Sequence, residues 1–199
     1  MERRRINTLA ARLVAMGLLA ATAWGCQQHY SPKPRGYFRI EYPEKTYTSA
    51  SGDCPYVFRI PAYAKIEPDR SADAQPCWVD IHFPQFNARI HLSYMPVSGP
   101  ENFRELVEDA RTFAFNHTVK ATAIDQQRIR LPETDVYGLK YEISGNTASN
   151  IQFFVTDSAH HYLRGALYFH EKPRLDSIQP VLEFLKTDID TLIGSLRWK

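Results

Sequence analysis

Residues 77–97 read CWVDIHFPQFNARIHLSYMPV, and their alternation decides the fold. Val79, Ile81 and Phe83 alternate with Asp80 and His82; Ile90, Leu92 and Tyr94 alternate with Arg89, His91 and Ser93. Period-two runs of this kind are strands with one face on a core and the other polar. A turn centred on Phe86-Asn87 joins them as a hairpin, pairing Ile81 with Leu92 and Phe83 with Ile90, so that both apolar sets share a face. The same register sets His82 opposite His91 on the polar face, with Asp80 two positions along. Two imidazoles and a carboxylate begin a weak metal site. A further ligand would have to come from elsewhere, and a solvated cross-strand pair is the simpler reading. No metal or cofactor is therefore expected.

Downstream the pattern repeats. Tyr137, Leu139, Tyr141 and Ile143 are spaced by two up to the Gly145-Asn146 break. NIQFFVT (150–156) and HYLRGALYF (161–169) flank an Asp157-Ser158 turn, and their apolar content on both faces marks central strands covered by helices. Ser98-Gly99-Pro100-Glu101 has the spacing of a capping box, followed by an apolar stripe of Phe103, Leu106, Val107, Ala110, Phe113, Ala114 and His117. Asp176 or Ser177 should cap a second helix with Ile178, Val181, Leu182, Leu185, Ile189, Leu192, Ile193 and Leu196 as its apolar face. The order is strands, helix, four strands, helix. It predicts an α+β sandwich, an antiparallel sheet of six to seven strands flanked by two main helices. That element order is similar to the PsbP and Mog1 families, a likeness of architecture that carries no function.

Upstream lies a targeting segment. Arg3, Arg4, Arg5 and Arg12 make a positive region, and residues 13–23 are apolar except for Thr22. The run is too short for a stable membrane span and has the three-part form of a secretory signal. It ends in Ala23-Trp24-Gly25-Cys26, which resembles the bacterial lipobox, although Ala23 and Trp24 depart from its usual residues. The expected organisation is a lipoprotein signal peptide at 1–25, a lipidated Cys26 with an extended tether at 26–36, and a single α+β domain at 37–199. Two or three acyl chains on the cysteine would hold the protein permanently on a membrane, where one chain would not.

Composition narrows the rest. The formal charge of +2 belongs to the signal; from Cys26 onward there are 20 basic and 21 acidic residues, a balance that offers no field for nucleic acid. The two later cysteines, Cys54 and Cys77, form an even pair in an exported chain and read as a disulfide. The polar, proline-dotted stretch 61–76 between them reads as a long surface loop.

No nucleophile elbow, P-loop, dinucleotide fingerprint or His-Glu-x-x-His helix occurs. The serines of GNTAS (145–149) and VTDS (155–158) sit in turns, where Asn and Asp bond the local backbone. His160 and His161 are adjacent and point to opposite faces, and His117 reads as a hydrogen-bonded core histidine. No catalytic residue emerges, and no enzyme activity is expected. Phe153, Phe154, Tyr162, Arg164, Tyr168, Phe169 and the terminal Arg197-Trp198-Lys199 have the composition of interface anchors, and equally of a sheet core.

Longer strings then converge: SPKPRGYFRIEYPEK, CPYVFRIP, CWVDIHFPQFNARIHLSY, VEDARTFAFNHTVKA, QFFVTDS, LRGALYFHEKP and SLRWK. With the lipoprotein signal they closely resemble the gliding-motility lipoprotein GldD family from Tyr30 to Lys199. The resemblance implies a non-enzymatic subunit or assembly factor beside the gliding and type IX secretion machinery, whose proteins would be its partners. It carries over the acylated cysteine, onto Cys26, and no catalytic residue. A periplasmic small-ligand or metal-binding module and a divergent envelope hydrolase are the alternatives, the latter disfavoured by the missing nucleophile set. No aspartate follows Cys26 and no acidic run trails it, while Lys33 and Arg35 suit anionic headgroups. The expected address is the periplasmic face of the outer membrane.

Overall fold

The hairpin within residues 77–97 forms, but two residues tighter than expected. The computed structural model describes residues 39–170 and 174–199, without the side chain of Ser51; the signal segment, Cys26 and the tether to residue 36 lie outside the described residues. A body spanning Glu41–Lys199 contains β1 (Tyr47–Ser51), β2 (Tyr56–Pro61), β3 (Lys65–Pro68), β4 (Val79–Phe83), β5 (Ala88–Pro96), α1 (Pro100–Phe115), β6 (Ala121–Leu131), β7 (Val136–Gly145), β8 (Ser149–Thr156), β9 (His161–Phe169), α2 (Leu175–Ser195) and β10 (Arg197–Trp198).

In the β4–β5 hairpin Phe83 pairs with Ala88, Ile81 with Ile90 and Val79 with Leu92. The apolar sets still share a face, but His82 stands opposite Arg89, and Asp80 opposite His91. The turn explains the correction. Pro84–Phe86 is one 3-10 turn closed by Asn87, left-handed at φ 48°, whose N–H donates to the Pro84 carbonyl. Proline presets the first dihedral, and asparagine tolerates the left-handed one. The β6–β7 connection is built alike, with Pro132–Thr134 closed by Asp135 at φ 55°.

All large-sheet pairings are antiparallel, in the order β3-β4-β5-β9-β8-β7-β6, and β1-β2-β10 form a second, smaller sheet. The stretch expected to be a long loop thus contains an edge strand, β3, and the terminal Arg197-Trp198 is a strand paired with β2. Neither the capping box of the first helix nor the expected Asp176 or Ser177 cap of the second forms. Gly99, in a backbone region that favours glycine (φ 151°), precedes the first helical residue and places Ser98 one position too early; the Ser98 N–H donates instead to Asn102 Oδ1 (3.1 Å). Asp176 and Ser177 lie inside the first turn of α2, whose leading N–H, from Leu175, is capped by Asn146 Oδ1 of the β7–β8 turn (2.8 Å).

The helices take opposite faces of the large sheet. Ala110 and Ala114 of α1 pack on Tyr141, Ile143, Phe154 and Tyr162, and the Tyr162 hydroxyl donates to the Leu106 carbonyl (2.9 Å). Lys140 and Glu142 alternate with Tyr141 and Ile143 and therefore point the other way. There they meet α2: Lys140 Nζ is 2.7 Å from Asp190, and Lys186 Nζ is 2.9 Å from Glu142. The buried side of α2, Leu182, Leu185, Ile189, Leu192 and Ile193, shares its core with Phe58 and Ile60 of β2.

One buried carboxylate fixes where α2 sits. Asp188, with 1% of its side chain exposed, accepts from Lys45 Nζ (2.7 Å) and the Tyr47 hydroxyl (2.8 Å) at Oδ1, and from the Tyr63 hydroxyl at Oδ2. Burial first, then the bond to Asp188, pushes the Tyr63 phenol far above its usual range, so it stays a donor. Lys45 also donates to the Phe184 carbonyl (2.7 Å) and lies 3.9 Å above that ring, on which Tyr42 stacks. Removing one partner of a buried charge set costs about 3–5 kcal/mol. Asp188→Ala should therefore lower the unfolding free energy by about that much in urea titration, whereas Glu183→Ala, which removes only an exposed partner of Lys186, should cost about 1 kcal/mol or less.

Candidate functional site

Cys26, the expected lipidation site, lies outside the described residues. The other two expected site residues meet: Cys54, between β1 and β2, is bonded to Cys77, just before β4, with Cα atoms 5.4 Å apart. The bond ties the small sheet to the large one rather than stapling a loop. A second tie runs beside it, from the Tyr56 hydroxyl to the Cys77 carbonyl (2.7 Å), and burial pushes that phenol up to about 12. Behind the disulfide a cavity of about 350 Å³ is lined by Tyr56, Phe58, Ile60, Ile66 and Val79.

Of the two motif serines, Ser158 lies in the Asp157-Ser158 turn, its N–H donating to Thr156 Oγ1 (2.9 Å), whereas Ser149 opens strand β8 and its hydroxyl donates to the Ile151 carbonyl (3.1 Å). Asn150 Nδ2 donates to the carbonyls of Ile143 and Gly145, and Asp157 Oδ1 accepts from the N–H groups of Ala159, His160 and His161. Burial works against the Asp157 charge, but those backbone donors outweigh it and hold the carboxyl below its usual 3.8. Of the aromatic set expected near the C-terminus, Phe153, Phe154 and Tyr162 are core residues. Trp198 stacks on His161 (5.1 Å) and donates to the Asp135 carbonyl, so it anchors the chain end on its own fold. His117 is half-buried in a short 3-10 turn after α1, its charge disfavoured by burial and by Arg164.

Polar chemistry concentrates on one surface instead. Residues directly opposite in neighbouring strands share a face, so the pairings Asp80–His91, His82–Arg89, Ser93–Arg164 and Phe154–Arg164 place all of these on the α1 side of the sheet. The apolar packing of α1 falls on β7, β8 and β9. Across β4, β5 and the near part of β9 the same face is polar, with Asp80, His82, Arg89, His91, Ser93, Arg164 and Tyr168. Arg164 donates to Gln152 Oε1 (3.0 Å), and its guanidinium lies 4.4 Å over the Phe113 ring. Arg89 reaches Asp80 Oδ2 (2.9 Å), and the rings of His82 and His170 meet edge-on (6.4 Å).

This face also holds the unpaired atoms. Among the described residues, the buried side-chain atoms lacking a hydrogen-bond partner are Asp80 Oδ1, His82 Nε2, Arg89 Nε and Gln152 Nε2, and all four belong to it. Buried polar groups are normally satisfied by protein or by ordered water, so these four atoms are open to a partner outside the chain, water included. The trio Asp80, His82 and His91 that the looser hairpin would have assembled is broken by the register, and so is the His82–His91 pair. Asp69, at the end of β3, takes the place of His82: carboxylate oxygens of Asp69 and Asp80 and a ring nitrogen of His91 lie within 4.8 Å of one another. Asp69 was hidden in sequence because β3 carries no alternation of its own.

The family model for the gliding-motility lipoprotein GldD matches residues 27–198. The chain belongs to that family. No curated protein matches it. Among solved structures it is similar to the cyanobacterial PsbP (CyanoP) of Synechocystis sp. PCC 6803, at 9% identity and a TM-score of 0.50, covering 79% of this chain and 95% of that one. At such identity the likeness shows the fold alone, and it agrees with the sandwich read from the element order. Among the described residues no helix is long and apolar enough to cross a membrane.

Two outcomes test these local features. Reduction of Cys54–Cys77 should destabilise the protein by roughly 3 kcal/mol and lower its melting temperature; quantitative alkylation of both thiols before reduction would contradict the pairing. A carboxyl held below its unfolded value stabilises the fold above that value and loses the contribution as pH falls through the folded one. Unfolding free energy should thus drop below about pH 4, and Asp157→Asn, which keeps the acceptor oxygen, should flatten part of that drop.

Proposed function

We propose that the protein is a lipid-anchored, non-enzymatic subunit or assembly factor of the gliding-motility and type IX secretion machinery, held through acylated Cys26 at the periplasmic face of the outer membrane. The family match carries this reading: it starts at residue 27, directly after the cysteine, and runs through the body to residue 198. Several features support it. The signal ends in Gly25-Cys26 without a following aspartate. The described body packs one helix on each face of its large sheet.

Cys26→Ser tests the anchor. The variant should leave the membrane fraction and appear among soluble envelope proteins, because no other segment after the cysteine is apolar enough to hold it. Retention of the variant on membranes after a high-salt wash would overturn the anchored reading. For the address, protease added to intact cells should spare the wild-type protein and digest it once the outer membrane is opened; digestion in intact cells would place it on the surface. Affinity purification of the anchored protein from solubilised envelopes should recover other gliding or secretion components, and recovery of none would count against a subunit role.

A further inference from the structure

We infer that Asp69, Asp80 and His91 form a binding site for a divalent transition metal of the zinc type, on the polar half of the α1 face. Asp80 is the centre. Its side chain is 6% exposed, and its two oxygens are treated differently. Oδ2 is held by Arg89 Nη1 at 2.9 Å. Oδ1 faces His91 Nδ1 in an ion-pair contact of 2.5 Å and has no hydrogen-bond partner besides. A buried carboxylate oxygen and a ring nitrogen thus meet at one point, where a metal ion would replace their direct contact. The third donor comes from another strand end: Asp69 follows β3, is fixed there by its own N–H on the Trp78 carbonyl (3.1 Å), and has Oδ1 occupied by the Ser71 N–H (2.8 Å).

The surroundings are those of a supported ligand set. Metal-binding carboxylates and imidazoles are commonly oriented by outer partners. Here Arg89 orients Asp80, Ser71 orients Asp69, and the Tyr168 ring meets His91 edge-on at 5.3 Å. Two carboxylates, Asp69 and Asp80, face one guanidinium, Arg89, an excess of negative charge that attracts a divalent ion. One imidazole with two carboxylates suits zinc or manganese; calcium and magnesium prefer oxygen-only sets. Bonds of about 2.0–2.2 Å separate tetrahedral ligands by about 3.4 Å, so the Asp80–His91 contact must open on binding. His91 is 39% exposed at its side chain, so its ring has solvent beside it into which to tilt. Three protein ligands leave the fourth position to water or to a group from a partner. The site does not depend on the anchored-subunit reading, since none of its residues lies near Cys26 in sequence and its test is independent of membrane fractionation.

Zinc chloride, titrated by calorimetry and by thermal melting into the chelator-stripped full-length protein in detergent, tests the proposal. One ion should bind per chain and raise the melting temperature, while magnesium and calcium chloride should not. Asp69→Asn and His91→Gln, both at partly exposed positions, should each weaken zinc binding by at least about tenfold while keeping the wild-type far-ultraviolet circular dichroism without metal. His160→Gln, at an exposed histidine outside the cluster, should bind zinc unchanged. No zinc binding by the wild type, or equal affinity in the Asp69 and His91 variants, would overturn the assignment. So would a loss confined to His160→Gln.

Discussion

The charge of Asp188 has to be answered in the interior, and the surrounding body is arranged around that requirement. A carboxylate with 1% exposure has given up its water, and its replacements come from sequence positions far from it: Lys45, Tyr47 and Tyr63. Sliding α2 by one turn along β2 would leave the charge without donors, so the helix has one seat. Replacing the whole set by apolar residues could be equally stable, but it would not select that seat. The chain between residues 41 and 47 is thereby fixed on α2 before the first strand begins, with Tyr42 stacked on Phe184.

The large sheet was legible because its central strands obey period two. Tyr141 and Ile143 on one face and Ile81 and Leu92 on the other fell where alternation placed them. What escaped lies where local signals compete. The Pro-Gln-Phe-Asn turn consumes two fewer residues than an opening centred on Phe86-Asn87, and a two-residue slip keeps every apolar side chain on its face, so patterning cannot detect it. Its twin, Pro-Glu-Thr-Asp before β7, was visible in the sequence and would have supplied the correct length. Strand β3 is short and mostly exposed, and β10 pairs over only two residues, so neither leaves a period to read.

The same slip decided the candidate site. With two imidazoles opposed, the polar face looked like a solvated histidine pair. With Asp80 opposite His91 and Arg89 opposite His82, it becomes a set of interdependent charges, and the strand end at Asp69 completes it. Sequence supplied two of its three members. The third required the β3–β4 pairing, which depends on long-range burial and on the Cys54–Cys77 bond that brings the small sheet against this edge. The unpaired atoms gather here because α1 is placed over β7, β8 and β9, leaving the histidine-bearing strands without an apolar cover.

At the far edge of the sheet, β6 (residues 121–131) pairs only with β7 among the described residues, with most of its side chains exposed. On a dilute soluble protein such an edge matters little. A protein held by lipid on a membrane is confined to a thin layer, where neighbours share one orientation and meet often, and an open rim becomes a template for pairing with a second copy. Asp125, Arg128 and Arg130 lie along that rim, and the register shift between Ala121 and Ala123 interrupts its start. Charge and irregularity at these positions guard the strand against edge-to-edge pairing of that kind.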